Sequence, residues 1–265
     1  MSFVSNIVWV SASSGVKAFD RPLLQYLSKQ RMGSPFLGAI AQWQYEQSLD
    51  EASSLNTAVE LLHHYLQNQV HPVHLVGHGT SGIVALLYAR RYPEWVKSLS
   101  LLSVAAQPAL TWHAHYYVQR KLLSCSREQV LAQMVKTLFG CDLPFHVQAF
   151  VALLDRDLDT SPSLHSLYEL VPLPKGGVSV PLLVCAAKDD SVIDQHSHAQ
   201  WSGMLKLGDR LWRCPRGKHF FHYFHPEQIG NELLQFWRST TRIEQPLLIA
   251  SLPSSDRSCD PMSRF

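Results

Sequence analysis

The sequence predicts an α/β fold with a mostly parallel sheet flanked by helices. Short apolar runs rich in Val, Ile and Leu alternate with amphipathic helical runs along most of the chain. This alternation is typical of parallel sheets, whose strands are joined by helices. The strand runs are apolar throughout, as expected where helices cover both faces of a sheet. Residues 106–178 break the alternation with helical runs alone, which indicates an inserted helical cap.

Five strands are predicted, each from a short run of apolar residues. The runs NIVWVSA and VHLVGH are typical of strands that are buried on both faces. In chain order, the predicted strands span residues 6–12, 73–78, 96–104, 180–187 and 210–215.

Apolar stripes and end signals predict the helices. In residues 48–69, a single helical face carries Leu55, Val59, Leu62 and Leu66, and Ser53 or Ser54 can cap the amino end. Three further helices follow from capping and breaking residues: residues 81–92 before Pro93, residues 126–140 between Ser126 and Gly140, and residues 226–239 beginning at Pro226.

These elements divide the chain into four segments. Residues 1–105 and 179–240 form the two parts of the α/β core, and residues 106–178 form the cap between them. Residues 241–265 are rich in Pro and Ser, so we expect a flexible C-terminal tail.

The composition is that of an ordinary globular chain, with 265 residues, 46% of them hydrophobic, and a formal net charge of +2. There is no basic run of the kind that follows phosphates, so nucleic acid is not an expected partner. Five cysteines without a C-x-x-C pair favour a reducing compartment, and we expect a cytoplasmic protein. No apolar run reaches about 18 residues, so no transmembrane segment is expected.

Three stretches carry candidate site residues. VHLVGHGTSG (73–82) has the pattern of a strand, a tight turn and a helix, and the other two are VPLLVCAAKDDSVID (180–194) and GKHFFHYFHPEQI (217–229). Together they resemble the α/β-hydrolase fold superfamily, in its single-domain esterase, peptidase and C–C hydrolase branch. The resemblance covers most of residues 6–105 and 180–240 and implies the α/β-hydrolase fold with a cap.

The resemblance implies a role for three residues, in the family's chain order of nucleophile, acid and base. Gly79 occupies the nucleophile position, Asp190 that of the acid, and His219 that of the base. Asp189 is the neighbouring alternative for the acid. Gly79 has no side-chain oxygen to attack an acyl carbon, so the nucleophile elbow is degenerate and no acyl-enzyme is expected.

Other residues near the turn are candidates for ligand binding. The backbone N–H of Thr80 follows the nucleophile position and is a candidate donor to an anionic group. The family's His-Gly pair after the first strand is replaced by SASSG (11–15), which makes Ser11 and Ala12 the candidates in that loop. Three aromatic residues are expected to line an apolar pocket or to pack the cap: Trp112, Tyr116 and Phe220.

Two groups of histidines have a spacing that metal ligands can use. His113 and His115 form one group, and His222 and His225 follow His219 at steps of three residues. Neither group has a cysteine or a carboxylate at ligand spacing. We therefore expect structural or solvent-facing histidines, with no metal and no cofactor.

Three functional hypotheses follow. In the first, the protein is a pseudo-enzyme that binds a small apolar ligand or a protein partner. In the second, it is a hydrolase-like or cofactor-free enzyme in which the His219–Asp190 dyad activates water or substrate without a covalent intermediate. In the third, function lies in assembly through the tail.

Overall fold

A computed structural model describes residues 7–31, 38–48, 50–141 and 146–243, with side chains described to residue 240. Six strands form one sheet in which every pairing is parallel, in the order β2-β1-β3-β4-β5-β6. This confirms the predicted fold class. The strands are β1 (Ile7–Ser11), β2 (Ile40–Gln44), β3 (Val73–His78), β4 (Val96–Leu102), β5 (Leu182–Ala187) and β6 (Arg210–Cys214).

Helices cover both faces of the sheet. They are α1 (Arg21–Arg31), α2 (Leu55–Leu66), α3 (Gly79–Arg91), α4 (Trp112–Leu122), α5 (Arg127–Phe139), α6 (Val147–Thr160), α7 (Gln195–Ala199), α8 (Phe221–Phe224) and α9 (Pro226–Ile243). Along β1, Val8 and Val10 join the core under α2 and α3, whereas Ile7 and Trp9 join the core under α1 and α9. Successive side chains of a strand point to opposite faces, so a wholly apolar strand fills both cores.

Capping residues set the ends of the predicted helices. The Ser54 hydroxyl accepts a hydrogen bond from the N–H of Thr57, so α2 begins at Leu55, well after the predicted start at residue 48. Ser126 forms a reciprocal capping box with Gln129 at the start of α5. The closing helix α9 extends to Ile243, beyond the predicted end at residue 239.

Outside the cap, and besides the short helices α7 and α8, two elements were absent from the sequence-based prediction: α1 and β2. Helix α1 buries only Leu23 and Leu27, a stripe too sparse to stand out. Strand β2 lies at the sheet edge, and Trp43 is its one buried side chain. Both elements depend on tertiary packing rather than on a strong local pattern.

Helices α4, α5 and α6 interrupt the strand–helix alternation between β4 and β5 and share a third hydrophobic cluster. That cluster also contains Val192, Ile193 and Phe220 from the loops after β5 and β6, so these helices pack directly on the loops at the carboxyl edge of the sheet. The segment boundaries at 106, 178 and 240 remain predictions. The expected tail lies outside the described residues from residue 244 onward. Within the described part of the chain, no helix has the length and apolarity to cross a membrane.

Because β3 and α3 are in close contact at Gly82, a single methyl group added there is expected to lower the stability of the protein strongly. A Cβ at residue 82 would lie 2.5 Å from Cγ2 of Val104 and 2.8 Å from the carbonyl oxygen of Gly77. We expect Gly82→Ala to lower the free energy of unfolding by about 2 kcal/mol or more, because the strand and helix must separate. Urea denaturation measures this change.

The matched control is Gly203→Ala, because no atom lies within 4 Å of a Cβ at residue 203. It should change the stability by less than about 0.5 kcal/mol. Equal effects of the two substitutions would show that β3 and α3 do not meet so closely.

Candidate functional site

The turn between β3 and α3 brings strand and helix into contact. A Cβ on Gly77 would lie 2.7 Å from the backbone nitrogen of Gly82, so neither position has room for a side chain. Gly79, the first residue of α3, has φ of +50°, in the left-handed region that glycine adopts at little cost. A strained strand–turn–helix connection of this kind presents its central residue above the sheet.

His219 and Asp190 form the buried dyad that the sequence predicted. The Nδ1 atom of His219 lies 3.0 Å from Oδ2 of Asp190. The other carboxylate oxygen accepts the N–H groups of Val192, at 2.8 Å, and Ile193, at 3.1 Å. Burial by itself would raise the pKa of Asp190, but the imidazole and these hydrogen bonds outweigh it and hold the pKa below its usual value.

The alternative acid, Asp189, has a different partner. Its carboxylate accepts the N–H of Lys218 at 3.0 Å and lies 3.7 Å from the Lys218 ammonium. Asp190 is therefore the carboxylate that orients His219, and Asp189 stabilises the loop that precedes the histidine.

Residue 79 lies opposite Nε2 of His219, the ring nitrogen that does not face Asp190. A Cβ at position 79 would be 3.7 Å from Nε2 of His219, an ordinary van der Waals distance. Next to Gly79 is a cavity of about 10 Å³, which is close to the space that one water molecule needs. Its wall comprises Gly79, Thr80, Ile83, Ser103, Val104, Leu110, Thr111, Trp112 and His219.

The backbone of His219 is held on both sides. Its carbonyl oxygen accepts hydrogen bonds from Nε2 of His78 at 2.9 Å and from the Ser103 hydroxyl at 2.8 Å. Its N–H donates to the carbonyl of Leu138 in α5 at 3.1 Å. Ser103 and Lys218, at φ of +50° and +54°, are the described non-glycine residues with left-handed backbones. Such costly conformations persist only where the surrounding contacts impose them, and here both residues adjoin the backbone of His219.

The loop after β1 is used for packing. The N–H of Ala12, a predicted binding group, donates to the Ser81 hydroxyl at 2.9 Å and is not free for a ligand. Ser11 is buried, and its carbonyl accepts the N–H of Tyr45 at 2.9 Å. A Cβ on Gly15 would collide with the backbone of α6, so this helix lies directly on the loop. These contacts correct the expectation that Ser11 and Ala12 face a ligand.

The three predicted aromatic residues are all buried in the hydrophobic cluster of α4 to α6. Trp112 also lines the small cavity beside Gly79. The Phe220 ring stacks on Phe139 with centroids 4.4 Å apart and meets the His219 ring edge-on at 5.5 Å. Of the two places expected for these residues, packing of the cap is the one that Tyr116 occupies. The amide of Thr80 lies in the first turn of α3, where N–H groups have no acceptor within the helix.

A second buried carboxylate lies behind the dyad and was missed by the sequence analysis. Asp20 accepts the indole N–H of Trp9 at 2.8 Å, and its other oxygen lies 3.0 Å from Nε2 of His222. The His222 ring packs on His78, with centroids 4.4 Å apart. Burial raises the pKa of Asp20 to about 6, although His78 and the Trp9 hydrogen bond oppose it.

Two of the histidines with metal-ligand spacing have carboxylate partners. His222 pairs with Asp20, and Nε2 of His113 lies 3.2 Å from the buried carboxylate of Asp157. Within the described ranges, no group of three His, Cys, Asp or Glu side chains is arranged to hold a metal ion.

A larger groove of about 530 Å³ opens between α4 and the segment 165–172. Leu110 belongs both to its wall and to the wall of the small cavity. His115 also lines the groove, and its pKa is lowered by burial and by the neighbouring His219. The groove and the dyad are therefore adjacent parts of one region.

Comparisons with known proteins agree with this geometry. A family model described as the alpha/beta hydrolase family matches residues 13–231. The uncharacterized protein alr2406 of Nostoc sp. (strain PCC 7120) is 49% identical over 255 residues, which cover 96% of this chain and 98% of that protein. The uncharacterized protein sll0249 of Synechocystis sp. (strain PCC 6803) is 46% identical over 233 residues, or 88% and 90% of the two chains.

Solved structures share the fold at low identity. The type II thioesterase BorB from the borrelidin biosynthetic cluster matches with a TM-score of 0.62 and 18% identity, over 87% of this chain and 91% of that chain. A likeness at this identity shows the fold and does not transfer the activity.

The raised pKa of Asp20 predicts a dependence of stability on pH. A carboxyl that binds its proton more tightly when folded loses stability as pH rises from its ordinary pKa of 3.8 to about 6. We expect Asp20→Asn to remove a decline on the order of 2–3 kcal/mol across this window. The measurement is the free energy of unfolding in urea at several pH values.

Asp190→Asn is the comparison variant. Because the pKa of Asp190 is lowered, its contribution to the free energy of unfolding changes at a lower pH than that of Asp20. That contribution is present above the ordinary carboxyl pKa and is lost only as pH falls below about 4. Asp190→Asn should therefore keep the wild-type slope between pH 4 and 6. A wild-type slope in Asp20→Asn as well would contradict the assignment to Asp20.

Proposed function

This chain belongs to the alpha/beta hydrolase family, and from that premise we propose that it is a non-hydrolytic pseudo-enzyme that binds a small apolar ligand in a groove of its cap. The observation that carries the proposal is the glycine at position 79. Gly79 stands opposite Nε2 of His219, where the family turn presents its nucleophile, and glycine has no oxygen with which to form an acyl-enzyme.

The hydroxyl groups near Gly79 take part in structural hydrogen bonds. The Ser81 hydroxyl accepts the N–H of Ala12, and the Ser103 hydroxyl donates to the His219 carbonyl. The Thr111 hydroxyl accepts the N–H of Ala114 at the start of α4. The Ser81, Ser103 and Thr111 hydroxyls therefore do not stand in for the missing side chain of residue 79. Thr80 lies one residue further along the turn, displaced from the nucleophile position, and the labelling experiment below tests it directly.

The groove supplies the binding space. Its volume of about 530 Å³ lies within the range of small-molecule sites, roughly 300 to 1,000 Å³. Most of its wall is apolar, with Leu110, Val118 and Leu170 among the lining side chains. Burial of an apolar ligand surface against these residues would supply the free energy of binding.

A second candidate function is catalysis by the dyad, and the intact geometry of His219 and Asp190 favours it. With the Nδ1 proton directed to Asp190, the lone pair of Nε2 faces the water-sized cavity beside Gly79. An imidazole oriented in this way is a general base for water or for an acidic substrate proton.

The proposal predicts that a serine-directed fluorophosphonate labels the Gly79→Ser variant covalently but does not label the wild-type protein. Wild type should not be labelled. Gly79→Ser should be labelled, because the space beside the glycine admits a Cβ and brings its hydroxyl within reach of Nε2 of His219. Intact-mass spectrometry measures the adduct.

Gly79→Ala is the matched control, since it adds the Cβ and the backbone strain without the hydroxyl. It should remain unlabelled. Labelling of wild type at Thr80 or Ser81 would contradict the pseudo-enzyme proposal. A Gly79→Ser protein as inert as Gly79→Ala would show that the serine is not activated, either because residue 79 does not face the base or because the Ala12 amide, bound by Ser81, leaves no oxyanion donor.

Hydrolysis of 4-nitrophenyl acetate separates the two candidate functions. For a pseudo-enzyme we expect equal rates from wild type, His219→Gln and the control His196→Gln, which removes an exposed histidine. A rate that falls at least about tenfold in His219→Gln alone, without a burst, would favour dyad catalysis.

A further inference from the structure

We propose that the cap rim, formed by residues 118–123 at the end of α4 and residues 165–172 across the groove from them, docks on a lipid bilayer with anionic headgroups. Docking of this kind goes beyond the proposed function and needs neither Gly79 nor the dyad. It places the groove, which lies between the two segments, next to the lipid.

Exposed large apolar side chains are concentrated on the cap rim. The described residues include nine of them, and six lie on the rim. Single exposed apolar residues are ordinary on a protein surface, whereas a cluster marks a surface that binds a protein or a membrane. The six are Val118, Leu122, Leu123, Leu167, Tyr168 and Leu170.

On α4, the apolar side chains follow one face to the end of the helix. Val118 and Leu122 are four residues apart, so their side chains are neighbours on that face. Val118 lines the groove together with Leu170 of the other segment. Leu122, the last residue of the helix, is 76% exposed. The apolar face therefore continues from the groove wall into solvent.

Across the groove, a tight turn carries two apolar residues at its tip. An antiparallel bridge between His165 and Leu170 closes the turn, and the Ser166 hydroxyl accepts the N–H of Tyr168 at 3.2 Å. Leu167 and Tyr168 therefore project from the fold, and Tyr168 is 95% exposed. Turns that face water usually carry Gly, Asn, Asp or Ser. A leucine and a tyrosine suit a membrane interface instead, where tyrosine is enriched.

Two cations lie beside these apolar residues. Arg120 and Lys121 precede Leu122, and α4 contains no Asp or Glu. The Arg120 guanidinium donates to a backbone carbonyl, that of Cys125, and not to a carboxylate. Glu169 is the one acidic residue of the rim, so two cations and one anion give the rim a formal charge of +1. An apolar surface with flanking cations is complementary to acyl chains beneath anionic headgroups.

The shape of the cap rim favours a fluid partner. Its apolar side chains stand on two separate projections, the tip of the turn and the end of α4, with a groove of about 530 Å³ between them. A folded partner needs close shape complementarity to cover such a surface. Lipids rearrange around each projection, so a bilayer can bury both without a matching shape.

Co-sedimentation of the full-length protein with vesicles tests the docking. We expect binding to vesicles of equal parts phosphatidylglycerol and phosphatidylcholine. Binding to phosphatidylcholine alone should be at least about fivefold weaker, because only the anionic lipid attracts the cations. Raising the salt concentration from about 0.05 M to about 0.5 M should weaken binding to the mixed vesicles severalfold, since salt screens this attraction.

Substitutions on the rim locate the docking surface. Tyr168→Asp and Leu122→Asp each replace an exposed apolar side chain by a charge, and each should lower binding to the mixed vesicles at least about tenfold. The matched controls are Leu207→Asp and Val70→Asp, which change side chains 104% and 73% exposed outside the rim. They add the same charge and should lower binding by less than about twofold.

Charge reversal tests the cations separately. Lys121→Glu should weaken binding to the mixed vesicles at least about fivefold. Lys29→Glu, which reverses an exposed lysine on α1, is the control and should weaken it by less than about twofold.

Four results would overturn the inference. They are the absence of binding to either vesicle, equal losses in the rim variants and their controls, and binding to phosphatidylcholine alone that is as tight as binding to the mixture. The fourth is a wild-type dimer that forms without lipid and that Tyr168→Asp dissociates, because a second copy of the chain would then cover the rim. The labelling of Gly79→Ser is independent of all four results.

Discussion

The close approach of β3 and α3 is the constraint from which the geometry of the site follows. Gly77 and Gly82 lie so near each other that strand and helix are joined by a single tight turn. That turn holds residue 79 in a left-handed conformation opposite Nε2 of His219. Whichever side chain occupied position 79 would meet the base, and with glycine there the position contributes space instead of a reacting atom.

The polar groups around this space are directed into packing. The amide of Ala12 is bound by the Ser81 hydroxyl, although a free backbone N–H is what stabilises an oxyanion in acyl transfer. The loop that contains Ala12 is pressed against α6, which leaves no room for a side chain at Gly15. The occupied Ala12 amide and the absence of a side-chain oxygen at residue 79 are both unfavourable for hydrolysis, and both support the proposal that the protein binds a ligand without hydrolysing it. Buried polar atoms without a described partner include Nδ1 of His165, on the cap side, and Nδ1 of His222, behind the dyad.

Where the local sequence pattern was strong, it predicted the position of the strand or helix correctly. VHLVGH forms β3 at the predicted residues, and Ser126 caps α5 as its position implied. The pairing of His219 with Asp190 was likewise expected from their loops through the family resemblance. The edge strand β2 was missed because IAQWQ buries one side chain and has no clear alternation.

The sequence by itself determined the class of fold, the order of the strongly patterned elements and the absence of an oxygen at position 79. Only the tertiary structure decided which polar groups are paired and which aromatic residues face the cavity. Asp20 meets Trp9 and His222 across separations of 11 and 202 residues, and no periodic pattern records such a contact. Tyr116 and Phe220 pack in the cap for the same reason, because the faces that meet are set by how distant elements dock.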